Sequence, residues 1–255
     1  MLRKSRLVLG AAIAMAIGAG AAGNAQAAFP NYGDCPTSNP DVRLCVDIQS
    51  TNGFLRIKDF TVPIGTSFGI RGGVTSFNTG NTFVAPRGTT GVFAKPIRVP
   101  GGLLGINFWI PGNSVTATAA LAGRPSDVRI DLSTLSVSVP VKLELSNVLL
   151  GMACQIGSNS SPVRLNLGIA PTNPPAPNRP IEGRVGTFEP APTNDGGVLR
   201  ANTHVANDFA IPSANSCGLG LGLINSLVNA KMKLPSSAGN NEIQVENDLG
   251  LKYIF

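Results

Sequence analysis

Between Leu135 and Leu145 the chain alternates without a break: Leu135, Val137, Val139, Val141, Leu143 and Leu145 are separated by Ser136, Ser138, Pro140, Lys142 and Glu144. Period two over eleven residues predicts a strand with one buried and one wet face, as in an antiparallel sheet. Pro140 falls on the outward set and has no N–H for a ladder, so this strand is expected at an edge or with a bulge. Val128, Ile130 and Leu132 alternate in the same way, as does Ser114–Leu121. So do Val42, Leu44, Val46 and Ile48, after which Thr51, Asn52 and Gly53 read as a tight hairpin turn into Phe54–Ile57.

Further strands are expected at 61–64, 67–71, 91–99, 163–167, 198–205 and 242–245, punctuated by Gly- and Asn-rich turns at 71–73, 78–81, 100–102 and 194–197. Many short strands with no strand–helix alternation argue for an all-β fold, an antiparallel β-sandwich of one body or two tightly joined lobes. One segment departs from this. Leu219, Leu223, Leu227 and Ala230, beside Ile224 and Val228, fall at helical spacing, and Pro235 closes the run. A short amphipathic helix over 221–233 is expected, plugging one end of the core, with Lys231 and Lys233 complementing its dipole. The proline-rich stretch Pro171–Pro180 is expected to run extended as a connector.

The first 27 residues bear on compartment. Arg3, Lys4 and Arg6 precede an uncharged apolar run, Leu7–Ala22, and Ala25-Gln26-Ala27 supplies a small-x-small cleavage step. That order is a secretory signal peptide cut after Ala27. The run is shorter than the roughly 20 residues a membrane-crossing helix needs. Cleavage leaves 228 of the 255 residues, and of the 20 basic side chains 17 remain against 14 acids, so net charge falls from +6 to +3. With one Trp, two Tyr and no basic cluster in the mature part, a nucleic-acid groove is not expected.

Four cysteines in an exported chain form an even set, and three pairings are open. Cys35–Cys45, close in sequence, and Cys154–Cys217 are favoured. No pair has zinc-ligand spacing, and neither a metal nor a cofactor is expected.

The chemical motifs are weak. Gly65-Thr66-Ser67-Phe68-Gly69 matches the nucleophile-elbow pattern, and Asp195 and His204 follow in hydrolase order. The elbow needs a helix directly after the serine, whereas Ile70-Arg71-Gly72-Gly73 reads as strand and turn. His204, the single histidine, reads as an exposed strand position. The acids, Asp41, Asp47, Asp59, Asp127, Asp131, Glu144, Glu182 and Glu189 among them, are scattered, so a paired-carboxylate hydrolase site is a rival, not a finding. Gly218, Gly220 and Leu223 miss the dinucleotide fingerprint. Leu249, Leu251, Tyr253 and Phe255 alternate up to an aromatic end, which keeps a second rival, an outer-membrane-type barrel, in play.

Six segments, 99–105, 121–130, 149–157, 174–181, 207–212 with 217–218, and 234–240, resemble an uncharacterised family of secreted β-rich proteins of actinobacterial type. The resemblance implies secretion and a β-rich fold, brings no activity with it, and places Cys154 and Cys217 inside matching segments. The resulting expectation is a secreted, non-enzymatic protein, extracellular or associated with the cell envelope, structural or ligand-binding. Its expected partners are cell-wall or surface components, with no nucleic acid and no membrane span in the mature chain. Binding is expected on loops at the sandwich ends or on the Pro171–Pro180 connector.

Overall fold

A computed structural model describes residues 30, 32–75, 81–103, 111–218 and 222–255; the leader expected at 1–27 lies outside them. Among the described residues there are fifteen strands and one α-helix. The strands are β1 (Leu44–Ile57), β2 (Phe60–Pro63), β3 (Phe68–Val74), β4 (Phe83–Val84), β5 (Val92–Ala94), β6 (Ile97–Arg98), β7 (Thr116–Leu121) and β8 (Arg129–Asp131). They continue as β9 (Ser136–Ser146), β10 (Gln155–Ile156), β11 (Val163–Leu167), β12 (Thr187–Pro190), β13 (Gly196–Ala206), β14 (Ala214–Asn215) and β15 (Asn241–Tyr253), with helix α1 (Gly222–Met232) between the last two.

They form two open antiparallel sheets facing each other, the expected sandwich. One sheet runs β12-β13-β15-β1-β3-β4, with β2 on β1 and β5 on β3. The other runs β14-β10-β9-β7-β6, with β8 and β11 also on β9. The sheets are not closed into a barrel, so the barrel rival falls on topology. Among the described residues no helix is long and apolar enough to cross a membrane.

Alternation is what closes the sandwich. Val137, Val139, Val141 and Leu145 of β9 are buried, while Ser136, Ser138, Lys142 and Glu144 are half-buried or exposed. They meet Leu44, Val46 and Ile48 of β1 and Ile243, Val245 and Leu249 of β15 in one continuous apolar cluster. Two disulfides, Cys35–Cys45 and Cys154–Cys217, join the favoured pairs.

Five local expectations are corrected. The turn expected at 71–73 is strand instead, since β1 pairs β3 through Arg71, Gly72 and Gly73 to Val74. The Asn52–Gly53 turn is not a hairpin: β1 continues through it, with a register shift against β15 between Ser50 and Asn52. β15 pairs β1 along its whole length, and that ladder outweighs the turn preference of two residues. Gly53 sits at φ +136°, and a Cβ there would lie 2.3 Å from the Gln244 carbonyl oxygen, so the glycine serves a bulge. Pro140, expected to point outward on a strand at an edge or with a bulge, is buried in the central strand of its sheet. β11 pairs it on one side, and on the other it lies between the stretches of β9 that β8 and β7 cover, accepting from the Ala122 amide. The missing N–H therefore breaks no ladder.

The helix is present, but its buried stripe is Val228 and Met232 with Ile224 beside them, while Leu223 is 83% and Leu227 45% exposed. Leu219 lies outside the described residues. Two amides dock the helix: Asn229 Oδ1 accepts from the Ala214 amide at 2.7 Å and Asn225 Oδ1 from the Cys217 amide at 2.9 Å.

The proline-rich stretch does not run extended. Thr172 and Ile181 bond to each other, closing it into a loop, and the Asn178 side chain ties that loop to the Asn207 and Asn241 carbonyls. Asn241 is fully buried, donates to the Phe209 carbonyl at 2.9 Å and accepts from the Ser236 hydroxyl at 2.7 Å. Replacing it by Leu strands two buried polar groups, and a loss of about 2 kcal/mol in urea unfolding is expected; a change within 0.5 kcal/mol would contradict that role.

Candidate functional site

The two sheets do not meet everywhere. Between them lies a cavity of about 90 Å³, measured as the space open to the centre of a water-sized sphere. Its walls come from both sheets: Leu55 and Ile57 of β1, Val141 and Leu143 of β9, and Ile243 and Val245 of β15 among others. Met232 of α1 and Ile211 also face it. The space exists because β7 presents Ala117 and Ala119 to the interior, opposite Val, Leu and Ile on the facing strands. Two methyl groups cannot fill what two leucines would.

The cavity has a rim. Among its lining residues Lys95 is exposed, and Ile64, Ser67, Phe68, Ala94 and Ile97, all close to it along the chain or across the sheet, are half-buried. Phe68 pairs with Ala94, and the Lys95 amide donates to the Ser67 carbonyl at 2.7 Å, joining the two segments. Lys95 and Pro96 then carry the chain from β5 in one sheet to β6 in the other, and the exposed Lys95 marks the opening beside this crossing.

Among the described residues Ser67 and Lys95 are the only lining residues with polar side chains, and no carboxylate or histidine lines the cavity. A water needs about 10–15 Å³ on this measure and two to four polar partners. There is volume for several waters but almost nothing for them to bond. Left empty, such a void costs about 2 kcal/mol at roughly 24 cal/mol per Å³.

The expected catalytic candidates lie elsewhere. Ser67 is followed by strand β3, not a helix, and its hydroxyl donates to the Ile64 carbonyl at 2.6 Å. Asp195 is paired with Lys252 and bonded by Thr193. His204 is corrected from an exposed position to a buried one, 4% exposed, because its side chain faces the other sheet, among Ile130, Leu135 and Val137. Its Nε2 bonds the Leu135 carbonyl at 2.9 Å and its Nδ1 the Asn247 amide nitrogen at 2.8 Å. A neutral ring with the proton on Nε2 satisfies both, so no nitrogen is left for acid–base work. The three residues do not form a triad.

Burial holds the His204 pKa below its usual 6.5, with the Leu135 carbonyl opposing. The unfolded chain then binds the extra proton more readily than the folded one. Stability is full above pH 6.5 and declines as pH falls below it, by up to about 1.4 kcal/mol per pH unit. Urea unfolding of wild type and His204→Gln from pH 7.5 to 5 tests this. The wild-type slope should exceed that of the variant, and equal slopes would remove His204 as the cause.

Asp41 and Glu182 stand exposed on the surface, and the other candidate acids are occupied. Asp47 is buried beside Arg71, burial raising its pKa and the guanidinium pulling the other way. Asp59 pairs with Lys233, Glu144 with Lys142, and Glu189 shares Arg200 with Asp248. Asp127 caps the Arg124 amide and Asp131 the turn at Ser133. Among the described residues no group of three His, Cys, Asp or Glu side chains could hold a metal ion.

The cavity was missed by sequence reasoning. Its one signal is the pair Ala117 and Ala119 on the inward set of a strand otherwise continued by Val115 and Leu121. No protein-family model matches the chain, and no curated protein or solved structure matches it.

Proposed function

We propose that the mature chain is a secreted, non-enzymatic binding protein that takes an apolar ligand between its sheets. The observation that carries this is the cavity: open at one edge, walled by aliphatic side chains from both sheets, and without partners for water. Sandwich cores pack as densely as organic crystals, and a void worth about 2 kcal/mol is a standing cost that an apolar guest removes. Each methylene it brings from water adds about 0.8 kcal/mol. Secretion rests on the leader at 1–27, and the two disulfides fit an oxidising compartment.

Among the described residues the cavity wall carries no acid or histidine, which supports binding over hydrolysis. A paired-carboxylate enzyme needs two carboxyl groups facing one cleft, and the described lining presents none.

The test is calorimetric titration of the mature protein with 1-dodecanol, a neutral chain. Saturable binding of one molecule per protein is expected. No saturable binding, or unsaturable partition of many molecules, would overturn the proposal.

A further inference from the structure

We infer that the ligand is a single-chain aliphatic carboxylate, held tail-inward in the cavity with its head at Lys95. This deepens the binding proposed above and rests on it. The lining supplies the tail chemistry. Among the described residues its walls are Val, Leu, Ile, Ala and Met232, with Phe68 the one aromatic, and that ring stands at the rim. About 90 Å³ of free space is shared along walls that run from β2 and β5 at the rim to β10, β11 and α1 on the far side. Space so thinly spread admits an unbranched chain, the slimmest apolar shape, before any fused ring system.

The rim supplies the head chemistry. Among the described residues Lys95 is the single charged one on the lining, is exposed, and makes no ion pair. Lys142 pairs with Glu144, Lys233 with Asp59 and Lys252 with Asp195, and Lys58 donates to the Lys233 carbonyl; Lys231, which also makes no ion pair among the described residues, does not line the cavity. An unpaired ammonium beside an apolar opening complements an anionic head whose tail has entered. Beside it, Ser67 uses its hydroxyl hydrogen on Ile64 and keeps its oxygen lone pairs, so the anion is met by the ammonium alone.

The experiment compares three twelve-carbon ligands, dodecanoate, dodecanol and dodecylammonium, on wild type, Lys95→Met and Lys95→Glu, below their micelle concentrations at pH 8. Wild type should prefer dodecanoate. Lys95→Met should lose about threefold in dodecanoate affinity, in the range of an exposed ion pair, with dodecanol unchanged. Lys95→Glu should lose about tenfold and bind dodecylammonium more tightly than wild type does. Raising salt from 10 mM to 0.5 M should shrink the wild-type preference. Across saturated acids of six to sixteen carbons, affinity should rise about fourfold per methylene and level off once the cavity is full. If dodecanol binds and the Lys95 variants treat all three ligands as wild type does, the head-group assignment fails while cavity binding stands. If nothing binds wild type, both fall. Lys95 is exposed and outside any ladder pair, so its variants are expected to fold.

Discussion

Replacing Cys154 and Cys217 by serine is expected to lower the unfolding free energy by about 4 kcal/mol, against about 3 kcal/mol for the Cys35–Cys45 pair. The difference follows from loop length: the first bridge closes a separation of 63 residues and the second one of 10. In the chain-entropy account the longer loop restricts the unfolded ensemble more. Position adds to it. Cys154 and Cys217 are both buried, and the bridge holds the segment that carries Leu150 against the turn entering α1, where the Gly218 amide donates to the Leu150 carbonyl. Val228 and Met232 of that helix then pack inward. Equilibrium urea unfolding of the two double-serine variants measures the pair directly. An equal or smaller loss for the 154–217 variant would mean that unfolded-state entropy is not the governing term.

Filling the cavity should move stability and binding in opposite directions. Ala117 and Ala119 point inward from β7, with Leu145 and Leu143 of β9 as their cross-strand partners. The double change Ala117→Leu and Ala119→Leu places two isobutyl groups in the void. Recovering part of a cost near 2 kcal/mol, less some strain from tight packing, predicts a gain of about 1 kcal/mol. The same groups stand where the ligand would lie, so dodecanol affinity should fall at least a hundredfold. A variant that is stabilised and still binds would show that the ligand sits elsewhere. One that is destabilised by more than 2 kcal/mol would show that the space is already filled by relaxed side chains.

The parts of this fold that were legible in the sequence are those governed by one local rule. Alternation located β9 and β11, since a single buried face writes period two directly into the residues. What failed involved a partner distant in sequence. Asn52–Gly53 carries a strong turn preference, yet β15, nearly two hundred residues away, pairs straight past it. Pro140 reads as an edge residue until the gap between β7 and β8 is known. His204 looks exposed within its own strand, and its burial comes from Ile130, Leu135 and Val137 of the facing sheet. The helix was placed by spacing, but which of its stripes faces inward depends on the Cys154–Cys217 bridge and on the β14 segment. The cavity is the extreme case. A missing volume is a property of two sheets at once, and one strand contributes to it only two unremarkable alanines.

The exposed apolar side chains Val148, Leu149, Met152, Leu223 and Leu227 offer an apolar probe a competing place to bind. The most direct measurement is therefore methyl NMR of the mature, doubly bridged protein titrated with 1-dodecanol. Saturable shifts at Val141, Leu143, Leu165, Ile243 and Val245, with the five exposed residues unmoved, are the predicted result. Shifts confined to Val148, Leu149, Met152, Leu223 and Leu227, with the inter-sheet methyls unchanged, would contradict it.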